Sequence, residues 1–215
     1  MEYAAVVLCG GRSTRMGLAK ATLPFGPETM LARTVRLLGE VVGRIVVVAS
    51  PGQDVPDLPG RVLLARDRHE GRGPLEGIAA GLSSLPAAVE AAYVTGCDAP
   101  LLAPAFVARM FDLLGEFSIA VPCFGGYEYP LAAVYRVSIL PAIGELLSAD
   151  RLRPAYLFDR VPTRRVTQEL LLEVDPTLGS LDNVNRPADY LDALARAGFT
   201  PPPEVLASLS NDGVA

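Results

Sequence analysis

The chain has 215 residues, about half of them hydrophobic and a fifth charged, with a formal net charge of -5. That is enough for one substantial globular core with at most a small second lobe. The acidic balance argues against a nucleic-acid partner, which demands a basic face, and no stretch approaches the roughly 18 consecutive apolar residues of a membrane span.

In chain order, strand-like and helix-like runs alternate. Tyr3 to Leu8 is a short apolar run that predicts a first strand. It leads into Leu8-Cys9-Gly10-Gly11-Arg12-Ser13-Thr14-Arg15-Met16-Gly17-Leu18-Ala19-Lys20. The paired glycines allow a tight turn with bare N–H groups, and Arg12, Arg15 and Lys20 concentrate positive charge. Lys20 is the only lysine in the chain, and a compact, rotatable ammonium suits a phosphate-cradling loop. Gly-Gly after a strand is also an ordinary turn, and the segment is neither a Walker A sequence nor Gly-x-Gly-x-x-Gly. Any triphosphate cradle here belongs to another class.

Thr29 to Glu40 reads as a helix with Leu31, Val35 and Leu38 on one face. Arg44 to Ala49 is a β-branched run, consistent with a strand buried on both faces. Val62 to Ala65 is a shorter strand and Leu75 to Leu85 a helix. Ala92 to Thr95 is another strand, Pro104 to Leu114 a helix with proline in its first turn, and Ser118 to Val121 a short strand. The second half is less regular. Leu131 to Tyr135 and Arg164 to Thr167 read as strands, Ile139 to Ser148 and Arg153 to Phe158 as helices, and a last helix starts at Pro187 and runs to about Ala197. From Thr200 onward Pro, Ser and small residues predict a partly disordered tail, leaving residues 1–199 as a single domain.

The alternation predicts an α/β fold, a mostly parallel sheet covered by helices, with ligands beyond the carboxyl ends of the strands. The glycine loop and Asp98 both fall there. Asp98, in Gly96-Cys97-Asp98-Ala99-Pro100, can hold a hard cation such as Mg²⁺ or simply cap the turn ahead of Pro104. Between the two lie Asp67 and the segment Gly71-Arg72-Gly73-Pro74-Leu75-Glu76-Gly77. Gly77 and Gly81 suit close helix–sheet packing, while Gly73-Pro74 can present free backbone donors to a base edge. Cys9, Cys97 and Cys123 have no zinc-like spacing and read as reduced thiols, and the single His69 cannot build a histidine metal site. No basic flank precedes the first apolar run, so no secretory leader is expected. The expected location is the cytoplasm.

Taken together these segments resemble the molybdenum cofactor guanylyltransferases, the MobA-like nucleotidyltransferases. The matching pieces are Leu8-Cys9-Gly10-Gly11 with Arg15-Met16-Gly17 and Lys20, then Asp67, then Gly73-Pro74-Leu75 with Gly77. Cys97-Asp98-Ala99-Pro100, Tyr129-Pro130-Leu131 and Asn183-Val184-Asn185-Arg186-Pro187-Ala188-Asp189 follow in the family's order. The resemblance implies a three-layer α/β/α, GT-A-like nucleotidyltransferase fold and transfer of GMP from Mg-GTP to the terminal phosphate of molybdopterin, with release of pyrophosphate. It implies Leu8, Cys9, Gly10, Gly11 and Arg12 along the nucleotide, with Gly73, Pro74 and Asp67 helping to hold it. Lys20 and Arg15 would meet the phosphates, Asp98 would bind Mg²⁺, and Asn183 and Asn185 would face molybdopterin. Transient contact with proteins that insert or receive the cofactor belongs to the same expectation.

The sequence departs from the family at Ala19, where an aspartate is common, and near Val48 and Ser50, where an asparagine contacts the nucleotide. Three rivals stand beside this reading: a cytidylyltransferase for the same cofactor, another small-molecule nucleotidylyltransferase, and a non-catalytic GTP-binding escort. Gly11, the Gly73 loop and Cys97-Asp98 favour guanine. Arg151 and Arg153 either bind the acceptor's phosphate or solvate a helix end, and Glu128 and Asp182 have no assigned part.

Overall fold

A computed structural model describes residues 2–10, 19–60, 62–67 and 71–211. The roles expected of Gly11, Arg12 and Arg15 fall outside the described residues, as does His69.

The chain opens with strand β1 (Glu2–Leu8). A short hairpin of β2 (Pro24–Phe25) and β3 (Glu28–Thr29) leads into α1 (Met30–Leu38), whose first turn is capped by the Thr29 hydroxyl accepting from the Ala32 amide at 3.2 Å. β4 (Arg44–Ala49), β5 (Val62–Arg66), α2 (Pro74–Ser83), β6 (Val89–Gly96) and α3 (Pro104–Leu114) follow. The second half contains β7 (Ile119–Phe124), β8 (Tyr127–Glu128), β9 (Ala132–Arg136), α4 (Leu140–Ser148), α5 (Ala155–Phe158), β10 (Thr163–Val166) and α6 (Gln168–Leu172). It closes with α7 (Pro187–Arg196) and α8 (Pro203–Asn211).

The main sheet runs β10-β7-β9-β6-β1-β4-β5, with β8 hairpinned onto β7. The neighbours β1, β4, β5 and β6 are parallel, β10 pairs parallel with β7, and β9 lies antiparallel between β6 and β7. Periodicity finds β9 as a strand but says nothing of its direction, which the short return from β7 imposes.

Side chains alternate across this sheet. Ala5, Val7, Ile45 and Val47 face Leu31, Val35 and Leu38 of α1 and Phe106 and Met110 of α3. Ala4, Val6, Val46 and Val48 face Leu75, Ile78 and Leu82 of α2 and Ile143 and Leu146 of α4. Three layers result, and β1 is sealed on both faces, Ala4 to Val7 having no exposure at all. Each Leu or Val buried in this way contributes about 1.5–3 kcal/mol.

A third apolar cluster decides where the functional segments go. Leu23, Phe25 and Met30 pack with Val184, Tyr190 and Leu194, and the Tyr190 hydroxyl donates to the Pro24 carbonyl. Val205 and Leu209 join the same cluster. The composition of the last residues predicts partial disorder from Thr200, but α8 forms there because Val205 and Leu209, four apart, share one helical face and find an apolar seat.

Candidate active site

The carboxyl ends of β5, β4, β1 and β6 stand side by side. The register carries Leu8 opposite Val48 on one side and Gly96 on the other. Beyond it the ladder continues for one step: the Cys9 amide donates to Val48 O at 2.8 Å and the Cys97 amide to Leu8 O at 3.0 Å. Cys9 and Cys97 thus become neighbours on one face, both buried. Contact with Cys97 and then burial push the Cys9 thiol far above its ordinary range. Both are free thiols, and Cys9 stays protonated within an apolar cluster. Cys123, read with them, is only half-buried.

Three segments meet just past this edge. Lys20 opens a 3-10 turn (Lys20–Thr22), and its ammonium lies 2.8 Å from Asp98 Oδ2 and 2.8 Å from Asn185 Oδ1. Asp98 follows β6, and its backbone carbonyl accepts from the Val184 amide at 2.8 Å. Arg33 braces the next turn by donating from Nε to Pro100 O at 2.6 Å. Lys20, Asp98 and Asn185 are separated by 78 and 165 positions along the chain, yet form one cluster. The ion pair is part-exposed, with side-chain exposures of 19% and 20%, so both charges remain accessible to a ligand.

A second cluster forms around Asp67, just after β5. A methyl group on Gly10 would come within 3.0 Å of Ser50 Oγ and 3.1 Å of Asp67 Oδ2, and one on Gly77 within 3.4 Å of Asp67 Oδ1. Gly10 and Gly77 thus lie close against this carboxylate. Asp67 Oδ1 is shielded from solvent and has no hydrogen-bond partner among the described residues. Its desolvation, and secondarily the charge of Glu76, raise the Asp67 pKa above the usual carboxylate value. A buried acceptor left unpaired costs about 1–3 kcal/mol; a ligand N–H would satisfy it.

Gly73 and Pro74 begin α2. Gly73 sits at φ 74, a left-handed position open to glycine, and Pro74 takes the first helical turn. Leu8 packs against this helix, since a methyl on Gly77 would meet its Cδ2 at 3.1 Å. Asn183 separates from Asn185. It is exposed and lines a hollow of about 370 Å³ with Asp182, Asp189 and Asp192, whereas the side-chain hydrogen bond to Lys20 comes from Asn185.

Three residues left open or unassigned by the sequence have these neighbours. Arg151 stacks over the Tyr156 ring at 4.1 Å. Glu128 pairs with Arg165 at 3.1 Å and Asp182 with Arg196 at 2.6 Å.

Three residues that build the site had no part assigned from the sequence, although Glu76 and Asp189 lie in segments quoted there. Gln53 ties the β4 end to the glycine loop, accepting from the Ser50 amide at 3.0 Å and donating to Cys9 O at 3.1 Å. Glu76 is 5% exposed, lies 3.7 Å from Arg72 Nη1 and acts on Asp67. Its signal was an acid in the first turn of a helix. Asp189 holds the backbone that carries Asn185.

A MobA-like NTP transferase domain model matches residues 5–162. The chain is 32% identical to a probable molybdenum cofactor guanylyltransferase of Pelotomaculum thermopropionicum, over 92% of this chain and 94% of that one. It is 35% identical to a protein of the same name in Mycobacterium avium, over 92% and 97% respectively. Among solved structures, molybdopterin-guanine dinucleotide biosynthesis protein A of Archaeoglobus fulgidus superposes with a TM-score of 0.75 at 19% identity, covering 91% of this chain and 98% of that one. The 2-C-methyl-D-erythritol 4-phosphate cytidylyltransferase of Thermus thermophilus has the same fold, with a TM-score of 0.67 at 17% identity, covering 91% and 98%.

Proposed function

The chain belongs to the MobA-like NTP transferase family, and from that premise we propose that it transfers GMP from GTP to the terminal phosphate of molybdopterin, releasing pyrophosphate. The observation that carries this reading is the meeting of Lys20, Asp98 and Asn185 at one sheet edge. A cation, an anion and a neutral amide there match a triphosphate, its metal and an acceptor.

The residues fit Mg²⁺ brought in with the triphosphate. Asp98 offers a hard, part-exposed carboxylate oxygen, and Mg²⁺ takes one or two carboxylates with the rest from phosphate and water. When bound, the metal neutralises phosphate charge.

The chain's own residues do the rest by position and charge. The nucleophile is a phosphate monoester, largely ionised near neutral pH because its second pKa is about 6, so no general base is required. Lys20 binds phosphate oxygens and stabilises the charge that moves onto pyrophosphate. Asn185 faces the acceptor and orients Lys20. Asp67, whose Oδ1 has no partner among the described residues, accepts from a nucleobase N–H. Guanine carries adjacent donors at N1 and N2 that match a carboxylate, whereas cytosine offers its single amino group.

The test is pyrophosphate release from GTP and, separately, CTP, with Mg²⁺ and molybdenum-loaded molybdopterin. GTP-selective, acceptor-dependent release is the expected result. Preference for CTP moves the protein to the cytidylyltransferase branch, and tight GTP binding without release makes it an escort.

A further inference from the structure

Asn185 reaches Lys20 from a loop, and loops hold side chains less accurately than strands do. Something must fix this one. Asp189, in the first turn of α7, accepts through the same oxygen from two successive amides, Asn185 N at 2.9 Å and Arg186 N at 2.8 Å. Pro187 follows at the first helical position, where its fixed φ stiffens the turn. On the other side Val184, 2% exposed, is pinned through its amide to Asp98 O. Asn185 is therefore anchored from both neighbours, and its amide oxygen is delivered to Lys20 Nζ.

We propose that Asp189 is a positioning residue of the active site, setting Asn185 and through it the Lys20 ammonium. A carboxylate at this helical position caps helices in general. Here the capped backbone carries a side chain whose Oδ1 is in direct contact with the phosphate-binding lysine, and one Asp189 oxygen holds the amides of Asn185 and Arg186 together. The functional consequence rests on the proposed transfer reaction. A misplacement of about 1 Å can cost about 100-fold in rate, so turnover in Asp189→Ala falls by up to that factor.

Lys20 is the only lysine in the sequence, which supplies a readout independent of turnover. Protein labelled with ¹³C at lysine gives a single side-chain Cε resonance. Asn185→Ala is expected to move it, and Asp189→Ala to move it in the same direction. Asp189→Asn, which keeps an oxygen able to accept from both amides, restores the original position. In the Asn185→Ala background Asp189→Ala adds no further shift. A resonance unmoved by Asp189→Ala in a folded protein overturns the proposal, as does an equal added shift in the Asn185→Ala background. Should Asp189→Ala not fold, Asp189→Glu keeps the charge at the helix start but displaces the accepting oxygen. A moved Lys20 resonance is then expected, and an unmoved one overturns the proposal. Because the resonance needs no turnover, its behaviour separates this proposal from the identity of the reaction.

Discussion

Lys20 Nζ stands 2.8 Å from Asp98 Oδ2, so the chain's one lysine and the carboxylate proposed to hold the metal neutralise each other directly. On the proposed roles a metal–triphosphate complex would draw them apart, the cation competing for Asp98 and the phosphates for Lys20, and metal and nucleotide would bind together more readily than either singly. Lys20→Met should weaken triphosphate binding yet tighten Mn²⁺ binding to the free protein by about fivefold, the equivalent of about 1 kcal/mol for a part-exposed pair. Mn²⁺ titration followed by electron paramagnetic resonance checks this, and unchanged Mn²⁺ affinity would show that the two groups do not compete.

Asp98→Ala should remove turnover by about 10³-fold or more, the scale expected when a transition-state charge contact is lost. The fold should survive, because the loop is held through the Asp98 backbone carbonyl and Val184, which alanine preserves. Pyrophosphate release and thermal melting measured on one preparation decide it. Near-normal turnover in a folded variant would sink the metal assignment, and chelation of divalent metal in the unaltered protein should reproduce the loss.

Asp67 should show opposite effects on stability and binding. Its folded pKa is raised by desolvation first and Glu76 second, so the folded state binds its proton more tightly than the unfolded chain does. The resulting penalty is absent below the unfolded pKa and develops as pH rises through the carboxylate range toward the raised folded value. Asp67→Asn should therefore raise the melting temperature near neutral pH while weakening GTP binding. In acid, below both pKa values, the stability gain from losing this charge should vanish. A variant destabilised near neutral pH would contradict the assigned cause.

Gly81 should tolerate no side chain. A methyl there would overlap Val6 Cγ1 and lie 3.2 Å from Val48 Cγ2, where α2 packs on β1 and β4. Gly81→Ala should cost about 1–3 kcal/mol through overpacking, more than the helix-propensity gain of up to about 1 kcal/mol. Denaturant unfolding measures the difference, and a stabilised variant would mean that α2 can shift outward freely.

The local chemistry of the chain determined much of this protein. Apolar runs such as Arg44–Ala49 and the spacing of Leu31, Val35 and Leu38 identify strand and helix because side-chain period follows directly from backbone geometry. Glycine loops and acids after strands mark the ligand edge of an α/β sheet by the same local logic, and the ordered motifs identify the family. Other features depended on contacts distant in sequence. The antiparallel direction of β9, the surface on which α8 docks and the packing of Val184 and Tyr190 against Leu23 and Phe25 leave no periodic trace. The same holds for the site: Lys20, Asp98 and Asn185 are legible singly, but their union and the separation of Asn183 from it arise from tertiary packing. So do the raised pKa of Asp67 and the hold of Asp189 on Asn185. Burial and hydrogen bonding between remote segments are set only when the three apolar clusters close, because only then is water removed from the groups they bring together.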